Sequence, residues 1–180
     1  MSRAADYLVR LAEIQDTDAI CQLMAVSMQV LLPRFLTPEQ VRRSADSMGL
    51  DTGLIADQTY FVVFDGNHLV GCGGWSRRRT LFGGDASANR DETLADPATE
   101  PAKIRAMYTH PDYVRQGIGR RLLDLAEQAA RSEGFKAAEM GSTAPGVPLY
   151  RACGYAVIED VSVVYDDAVS VPIIRMRKML

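Results

Sequence analysis

Apolar and polar residues alternate along several stretches of this chain, and alternation predicts strands, because successive side chains of a strand point to opposite faces. Strand patterning is found at residues 7–12, 60–64, 68–75, 103–109, 137–142, 155–165 and 171–176. The turn residues Asp65-Gly66-Asn67 and the polar pair Asp166-Asp167 each join two of these stretches. Short polar connections of this kind predict antiparallel hairpins.

Other stretches repeat with the 3.6-residue period of a helix. The longest has one apolar face, formed by Ile118, Leu122, Leu125, Ala126 and Ala129. Polar residues lie on its opposite side, namely Asp124, Glu127, Gln128 and Arg131. Gly134 is typical of a helix end. Further helices are predicted after Asp16, from Thr37-Pro38 onward, and around Tyr150.

The order of these elements predicts one parallel strand pair. The long helix lies between the stretches 103–109 and 137–142, and a strand-helix-strand crossover returns the chain parallel to its first strand. The return strand 68–75 contains Gly71, Gly73 and Gly74. Glycines inside a strand indicate a bulge or the close approach of another backbone or a ligand.

The start of the long helix is the strongest candidate for chemistry. Gly117 and Gly119 precede its first turn, and arginines stand at 115, 120 and 121. Unpaired N–H groups, the positive end of the helix dipole and nearby cations together favour a bound anion, with pyrophosphate as the natural ligand. The spacing fits neither a P-loop nor a dinucleotide-binding turn, whose third glycine would replace Leu122. An ordinary surface helix is the alternative.

Composition narrows the class of protein. Of the 180 residues, 47% are hydrophobic and 24% are charged, which is typical of a globular domain with a substantial core. A net charge of -3 makes nucleic acid an unexpected partner. Cys21, Cys72 and Cys153 are widely spaced, so we expect no disulfide framework and a reducing, cytoplasmic setting.

Export, membrane insertion and metal binding are also not expected. Residues 1–6 form no apolar core of a signal peptide, and nowhere do eighteen apolar residues run together. The two histidines, His68 and His110, are isolated from each other and from any third ligand in the sequence, so no metal site is predicted.

Three motifs together resemble the GNAT superfamily of N-acetyltransferases. The segment Val114-Arg115-Gln116-Gly117-Ile118-Gly119 is similar to its Gln/Arg-x-x-Gly-x-Gly/Ala pattern, although Val114 departs from the first position. Residues 148–155, Pro-Leu-Tyr-Arg-Ala-Cys-Gly-Tyr, resemble its FYxxxGF segment, and residues 176–179 resemble its ending. The resemblance covers most of the chain, and the motifs at 114–119 and 148–155, in this order and at this separation, are more specific together than either alone.

The resemblance implies a mixed α/β (α+β) fold. We expect residues 1–180 to form a single GNAT domain with a long loop at 76–101. Its one sheet would be mostly antiparallel, flanked by helices, with a central parallel strand pair that splays apart.

Acetyl-CoA is the cosubstrate that the resemblance implies, with no metal. Its pantetheine arm would lie in the splay beside the first parallel strand, and its pyrophosphate at the helix turn. The residues carried over for this binding are Met107, Tyr108, Thr109, Arg115, Gln116, Gly117, Ile118, Gly119, Arg120 and Tyr150. The expected reaction is direct attack of a primary amine on acetyl-CoA in a ternary complex, with Tyr150 protonating the departing sulfur.

The general base is not matched by the family pattern. Several members carry Glu or His on the central strand where this chain has Lys103 and Arg105, and neither is a base at neutral pH without a large shift of its pKa. Glu139, on the adjoining strand, is the first candidate. Glu100, Asp112, a water chain or an acceptor of low amine pKa are alternatives. A non-catalytic acyl-CoA-binding or sensing module is the second function considered.

Acceptor and assembly stay open at this point. Small-molecule and peptide amines both suit the resemblance, and so does a homodimer paired through the terminal strands. Residues 76–101 follow neither period and carry several acids. Such a long loop is usually functional or disordered. It could cover the acceptor groove, where its acids would favour a cationic amine, or it could be solvated without touching substrate.

Overall fold

A computed structural model describes residues 7–88 and 90–180 of the chain. Residues 1–6, on which part of the expectation against export rests, lie outside the described residues. The strands are β1 (Leu8–Leu11), β2 (Tyr60–Asp65), β3 (His68–Ser76), β4 (Ala102–Thr109), β5 (Ala137–Ser142), β6 (Ala156–Val164) and β7 (Ser170–Met179). The helices are α1 (Thr17–Leu31), α2 (Pro38–Ser47), α3 (Thr52–Ala56), α4 (Ile118–Ser132) and α5 (Val147–Ala152).

Within these ranges the strands form one seven-stranded sheet in the order β1-β2-β3-β4-β5-β7-β6. Neighbouring strands are antiparallel except β4 and β5, which are parallel. The predicted mixed sheet with a central parallel pair is thus confirmed. Strand β7 enters between β5 and β6, so the C-terminal hairpin completes the sheet next to the parallel pair.

Helices cover both faces of the sheet. Residues Leu123, Ala126 and Ala130 of α4 are buried against Ile104 and Trp75 on one face. On the other face, α1 buries Ile20, Leu23 and Met24 against Tyr60, Val62 and Cys72. The apolar stripes read from the sequence therefore bury a core on each side of the strands, as the 3.6-residue and two-residue periods require.

Two glycines of β3 permit close packing, as the sequence predicted. A Cβ atom on Gly71 would lie 2.4 Å from Cγ2 of Ile118, the first residue of α4. One on Gly73 would lie 2.3 Å from Sδ of Met107 in β4. The missing side chains let the start of α4 and the middle of β4 sit directly on β3, and this fixes the position of the helix turn.

Helix α3 was not predicted, because its five residues are too few to display a helical period. Asp51 precedes it and accepts a hydrogen bond from the backbone N–H of Gly53 at 3.0 Å, which is an ordinary N-cap contact. The cap had a sequence signal, Asp followed by Thr and Gly, but the helix itself had none.

Glu127 lies on the polar side of α4, yet it is only 2% exposed. Its carboxylate accepts hydrogen bonds from Lys178 Nζ at 2.8 Å and from the Tyr155 hydroxyl at 3.0 Å. Arg131, four residues further along the same helix, also donates a hydrogen bond to Glu127, at 3.3 Å. One buried carboxylate therefore joins α4 to β7 and to Tyr155, the residue before β6.

We expect Glu127→Ala to lower the free energy of unfolding by about 3 kcal/mol, because it leaves a lysine and a buried hydroxyl without their acceptor. Urea unfolding followed by circular dichroism measures this change. Asp124→Ala is the matched control, since Asp124 is an exposed acid on the same helix, and it should change stability by less than about 0.5 kcal/mol. Equal losses in the two variants would contradict the account.

Candidate active site

The site begins where β4 and β5 part. The two strands pair only at Ala102 with Ala138 and at Lys103 with Glu139. Beyond Lys103 the edge of β4 that faces β5 has no strand partner in the described part of the chain, so its backbone groups border an opening. The splay that the resemblance implied is therefore present, and it opens toward the C-terminal end of β4.

A bulge deforms β4 at the same level. Ala106 and Met107 together oppose Gly73 of β3, because Cys72 pairs with Tyr108 while Gly74 pairs with Arg105. Ala106 has a φ of 50°, a left-handed conformation that costs a non-glycine residue energy. Bulges of this kind re-aim the residues that follow, here Met107 to Thr109, relative to a regular strand.

Tyr60 of β2 holds this bulge in place. Its hydroxyl donates a hydrogen bond to the carbonyl oxygen of Ala106 at 2.7 Å, and the residue is 1% exposed. Burial raises the pKa of Tyr60 well above its usual value, so the hydroxyl keeps its proton and remains a donor at every physiological pH. A buried donor therefore compensates for the strained backbone at Ala106.

The opening leads on one side into a groove of about 500 Å³ between β4, the start of α4, and α5. Nine of the ten residues predicted to bind coenzyme line it: Met107, Tyr108, Thr109, Arg115, Gly117, Ile118, Gly119, Arg120 and Tyr150. Val114, the departure from the family pattern, lines the groove as well.

The helix turn has the geometry of an anion site. Arg115 and Gly117 have positive φ angles of 65° and 86°, and the first backbone bond of α4 runs from the N–H of Arg121 to the carbonyl of Gly117. The N–H groups of residues 118–120 are therefore not used inside the helix, which leaves them for a ligand in the groove. Alternating backbone conformations of this kind form concave N–H sites for anions.

Gln116 differs from the other nine because it does not line the groove. Its Oε1 accepts a hydrogen bond from the Tyr7 hydroxyl at 2.7 Å, and its Nε2 donates to the carbonyl of Asp112 at 3.2 Å. The side chain thus ties the turn to the residue before β1. No local pattern in the sequence indicates this contact, because Tyr7 and Gln116 are more than a hundred residues apart.

A second, smaller cavity of about 80 Å³ lies on the other side of the opening. It shares Met48, Met107, Tyr108, Thr143 and Tyr150 with the groove. The two cavities therefore border the same residues at the bulge of β4 and at Tyr150.

Tyr150 on α5 has the properties of a proton donor. It is 7% exposed, and burial raises its pKa well above the usual value, so it is protonated at neutral pH. No described residue forms a hydrogen bond with its hydroxyl. The ring is fixed by Gly146, where a Cβ atom would lie 2.7 Å from Cε2, and by an edge contact with Tyr155 at 6.0 Å between centroids.

Glu139 is surrounded by cations. Its carboxylate contacts Arg175 at 2.8 Å, Lys103 at 3.4 Å and Arg177 at 3.4 Å, and the residue is 1% exposed. Burial alone would raise its pKa, but the hydrogen bond from Arg175 and the charges of Lys103 and Arg175 outweigh it and lower the pKa below the usual value. Glu139 is absent from the described walls of both cavities, so its geometry gives no support to a role as base.

The loop between β3 and β4 contacts the site through a short part of its length. Residues Leu81, Phe82, Gly83 and Gly84 line the small cavity. The backbone at Arg78 bridges to Leu94 in an isolated antiparallel pair. The loop therefore borders the small cavity, and its coverage of an acceptor stays a prediction.

The acids of this loop, however, do not line the cavity in the described part of the chain. Glu100 pairs with Arg79 at 2.7 Å, which together with a backbone hydrogen bond lowers its pKa to about 2. Glu92 pairs with Arg90 at 2.7 Å. Ion pairs with the loop's own arginines therefore hold Glu92 and Glu100 away from the small cavity, and the expectation that the loop's acids favour a cationic amine stays a prediction.

The described ranges contain neither a cluster of metal ligands nor a membrane-spanning helix. No cluster of three or more His, Cys, Asp or Glu side chains there could hold a metal ion. His68 and His110 do approach each other, with ring centroids 5.1 Å apart. None of the described helices combines the length and apolar character needed to cross a bilayer.

Comparison with known proteins identifies the family. Residues 26–155 match the model of the acetyltransferase (GNAT) family, which is more than two thirds of the chain. Among curated proteins, no sequence gives a significant match.

Solved structures resemble the whole chain. A GCN5-related N-acetyltransferase from Rhodopseudomonas palustris superimposes with a TM-score of 0.71 at 17% identity, covering 98% of this chain and 97% of that one. The PaiA N-acetyltransferase of Thermoplasma acidophilum, solved with coenzyme A, gives 0.66 at 13% identity, with coverages of 97% and 99%. The ribosomal-protein-alanine N-acetyltransferase of Brucella melitensis gives 0.64 at 16%, with 96% and 99%. At these identities the likeness concerns the fold.

The contact between Tyr60 and the bulge can be tested through stability. We expect Tyr60→Phe to lower the free energy of unfolding by about 1 to 3 kcal/mol, because the carbonyl at the strained Ala106 loses a donor that is held in the buried core. Tyr165→Phe is the control: its hydroxyl bonds to Ser47 at 2.7 Å in a half-exposed position, where water can replace it. Urea unfolding of both variants should show the larger loss for Tyr60→Phe, and the reverse order would contradict the account.

Proposed function

The chain belongs to the acetyltransferase (GNAT) family, and we propose that it moves an acetyl group from acetyl-CoA to a primary amine by direct attack in a ternary complex. The observation that carries this proposal is the meeting of the two cavities at Tyr150 and the β4 bulge. A donor in the groove and an acceptor in the small cavity would touch there, so no covalent enzyme intermediate is required. One domain spanning residues 1–180 and a cytoplasmic setting are part of the same proposal.

The groove suits the pantetheine and pyrophosphate parts of coenzyme A. Its long apolar wall along β4 and α5 matches an extended arm, and the unused N–H groups of residues 118–120 match a pyrophosphate, with Arg115 and Arg120 beside them. The PaiA structure that this fold resembles was solved with coenzyme A, which supports the same ligand here.

Chemistry is proposed at the junction of the two cavities. Backbone N–H groups of residues 107–109 serve as donors to the carbonyl oxygen of the thioester. The amine nitrogen forms a bond to the acetyl carbon while the carbon–sulfur bond breaks. Tyr150, protonated because of its burial, gives its proton to the departing sulfur.

No carboxylate or histidine is found in the described walls of the small cavity. We therefore propose that the amine enters in its neutral form and that its proton leaves through water at the cavity mouth. In this proposal Lys103, whose pKa burial lowers, is a structural partner of Glu139 rather than a base.

We expect Tyr150→Phe to lower kcat by about 10²-fold, which is the usual contribution of a general acid, while acetyl-CoA binding stays unchanged. Thiol release with an amine panel measures kcat. Tyr155→Phe is the control, because that hydroxyl is bound to Glu127 and away from the described cavity walls. An unchanged kcat in Tyr150→Phe would exclude it as the acid, and absence of turnover in the unaltered protein would favour a binding module instead.

The turn at Gly117 offers a second test of the coenzyme site, with a matched control glycine beyond the other end of α4. We expect Gly117→Ala to weaken acetyl-CoA binding by about 5- to 30-fold, since an L-residue at a φ of 86° costs roughly 1–2 kcal/mol. Gly134→Ala places the same strain, at 93°, beyond the other end of α4. Titration calorimetry should show normal affinity for Gly134→Ala. Equal affinities in the two variants would argue against the turn as the pyrophosphate site.

Glu139→Gln separates the ion-pair role from the base role. The pKa of Glu139 in the folded, unaltered chain is lower than the usual value of about 4.3. Ionised Glu139 therefore stabilises the fold above about pH 5, and this stabilisation disappears as the pH falls through the folded pKa. We expect the variant to be less stable than the wild type at pH 7, to approach wild-type stability as the pH falls below the usual range of a glutamate, and to keep the wild-type pH–rate profile. Loss of the acidic limb of that profile would assign Glu139 as the base.

A further inference from the structure

The small cavity has walls that select among amines. Apolar side chains form one part of them, chiefly Met48, Phe82, Ile104, Met140 and Ile173, and backbone groups and polar residues such as Ser142 and Thr143 form the rest. Its volume is about 80 Å³, roughly half of the 150 Å³ that admits benzene in an engineered apolar cavity. By that comparison, a chain of about three carbons fits beside the reacting nitrogen.

Gly141 of β5 sets the width of this space. A Cβ atom there would lie 2.9 Å from Cδ1 of Phe82 and 2.9 Å from Cγ2 of Ile173. The two side chains therefore press directly on the backbone of β5, one from the loop and one from β7. An acceptor that reaches this part of the cavity contacts two apolar side chains there.

One charged side chain, Arg105, is found in the described walls of the cavity. Its guanidinium is 3% exposed and donates hydrogen bonds to Asp51 at 2.8 Å and to the carbonyl of Thr80 at 3.1 Å. Asp51 also contacts Arg90 at 3.0 Å and is absent from the described cavity walls. Arg90 in turn contacts Glu92 at 2.7 Å, so the carboxylates of this cluster balance its guanidinium groups. The charged group that the cluster places in the cavity wall is the guanidinium of Arg105.

From these walls we infer that the acceptor is a primary amine on a short, uncharged, apolar carbon chain, and that an amine with a second cation on that chain is rejected. The inference rests on the proposed acetyl transfer. A second ammonium group would lose part of its water against these side chains and meet Arg105 instead of a carboxylate, and each of these effects disfavours it. The carboxylates of the loop, which would have compensated, are paired elsewhere.

The test compares two amines of equal chain length. We expect kcat/KM for thiol release from acetyl-CoA, expressed per neutral amine, to be at least about tenfold higher with propylamine than with 1,3-diaminopropane, because like charges at short range repel. Equal values for the two amines in the unaltered protein would overturn the inference while leaving acetyl transfer intact.

A charge introduced into the wall should reverse the preference. Phe82 is half-buried on the loop, so Phe82→Asp should fold, and we expect it to shift the ratio at least about tenfold toward the diamine. Leu94→Asp is the matched control, a carboxylate on the same loop at a residue 58% exposed and not in the described cavity wall; it should leave the ratio unchanged. Equal ratios in the two variants would overturn the inference.

Gly141→Ala tests the width independently of charge. It should raise KM for propylamine several-fold and leave methylamine unaffected, because the methyl group does not reach the narrowed part. An identical effect on both amines would contradict the assigned wall. Absence of thiol release with every amine, with acetyl-CoA still raising the melting temperature, would be a different failure: it would overturn the proposed transfer and the inference with it.

Discussion

The parting of β4 from β5 is the constraint on which the rest of the site depends. Backbone groups in the middle of a sheet are normally satisfied by a neighbouring strand, and here the pairing stops after Lys103. The freed edge of β4 becomes the wall of a groove on one side and of a small cavity on the other. Every proposed catalytic contact uses this edge or the helix that follows β5.

Maintaining such a gap in a folded protein requires support from outside it. The glycines of β3 let α4 and Met107 approach the sheet, and the Tyr60 hydroxyl satisfies the carbonyl at the strained Ala106. On the far side, the Glu139 cluster joins β4, β5 and β7 at the point where pairing ends. The ion pairs thus join β4, β5 and β7 where pairing ends, and the glycine contacts and the Tyr60 hydrogen bond position the freed edge of β4.

Local patterns predicted much of this site from the sequence. The two-residue and 3.6-residue periods gave the sheet and the long helix, and the glycines at 117 and 119 marked its turn, because these features depend on residues close together in the chain. The burial of Glu127, the contact of Gln116 with Tyr7 and the bulge at Ala106 left no local trace. Their causes are partners on distant elements, and an alanine at a positive φ has no sequence signature. Phe82 was unpredictable for the same reason, since nothing in its loop shows that it reaches β5.

Thermal unfolding with increasing acetyl-CoA, with ATP and NAD as controls, shows whether the groove beside Gly117 binds coenzyme A. If acetyl-CoA binds only the native chain, a concentration one hundred times its Kd adds about 2.7 kcal/mol, or roughly 5 to 11 °C for a domain of this size. A coenzyme A site in this groove predicts a saturable rise of the melting temperature with acetyl-CoA and none with ATP or NAD. No rise, or an equal rise with ATP, would show that the groove beside Gly117 is not a coenzyme A site and would contradict the account.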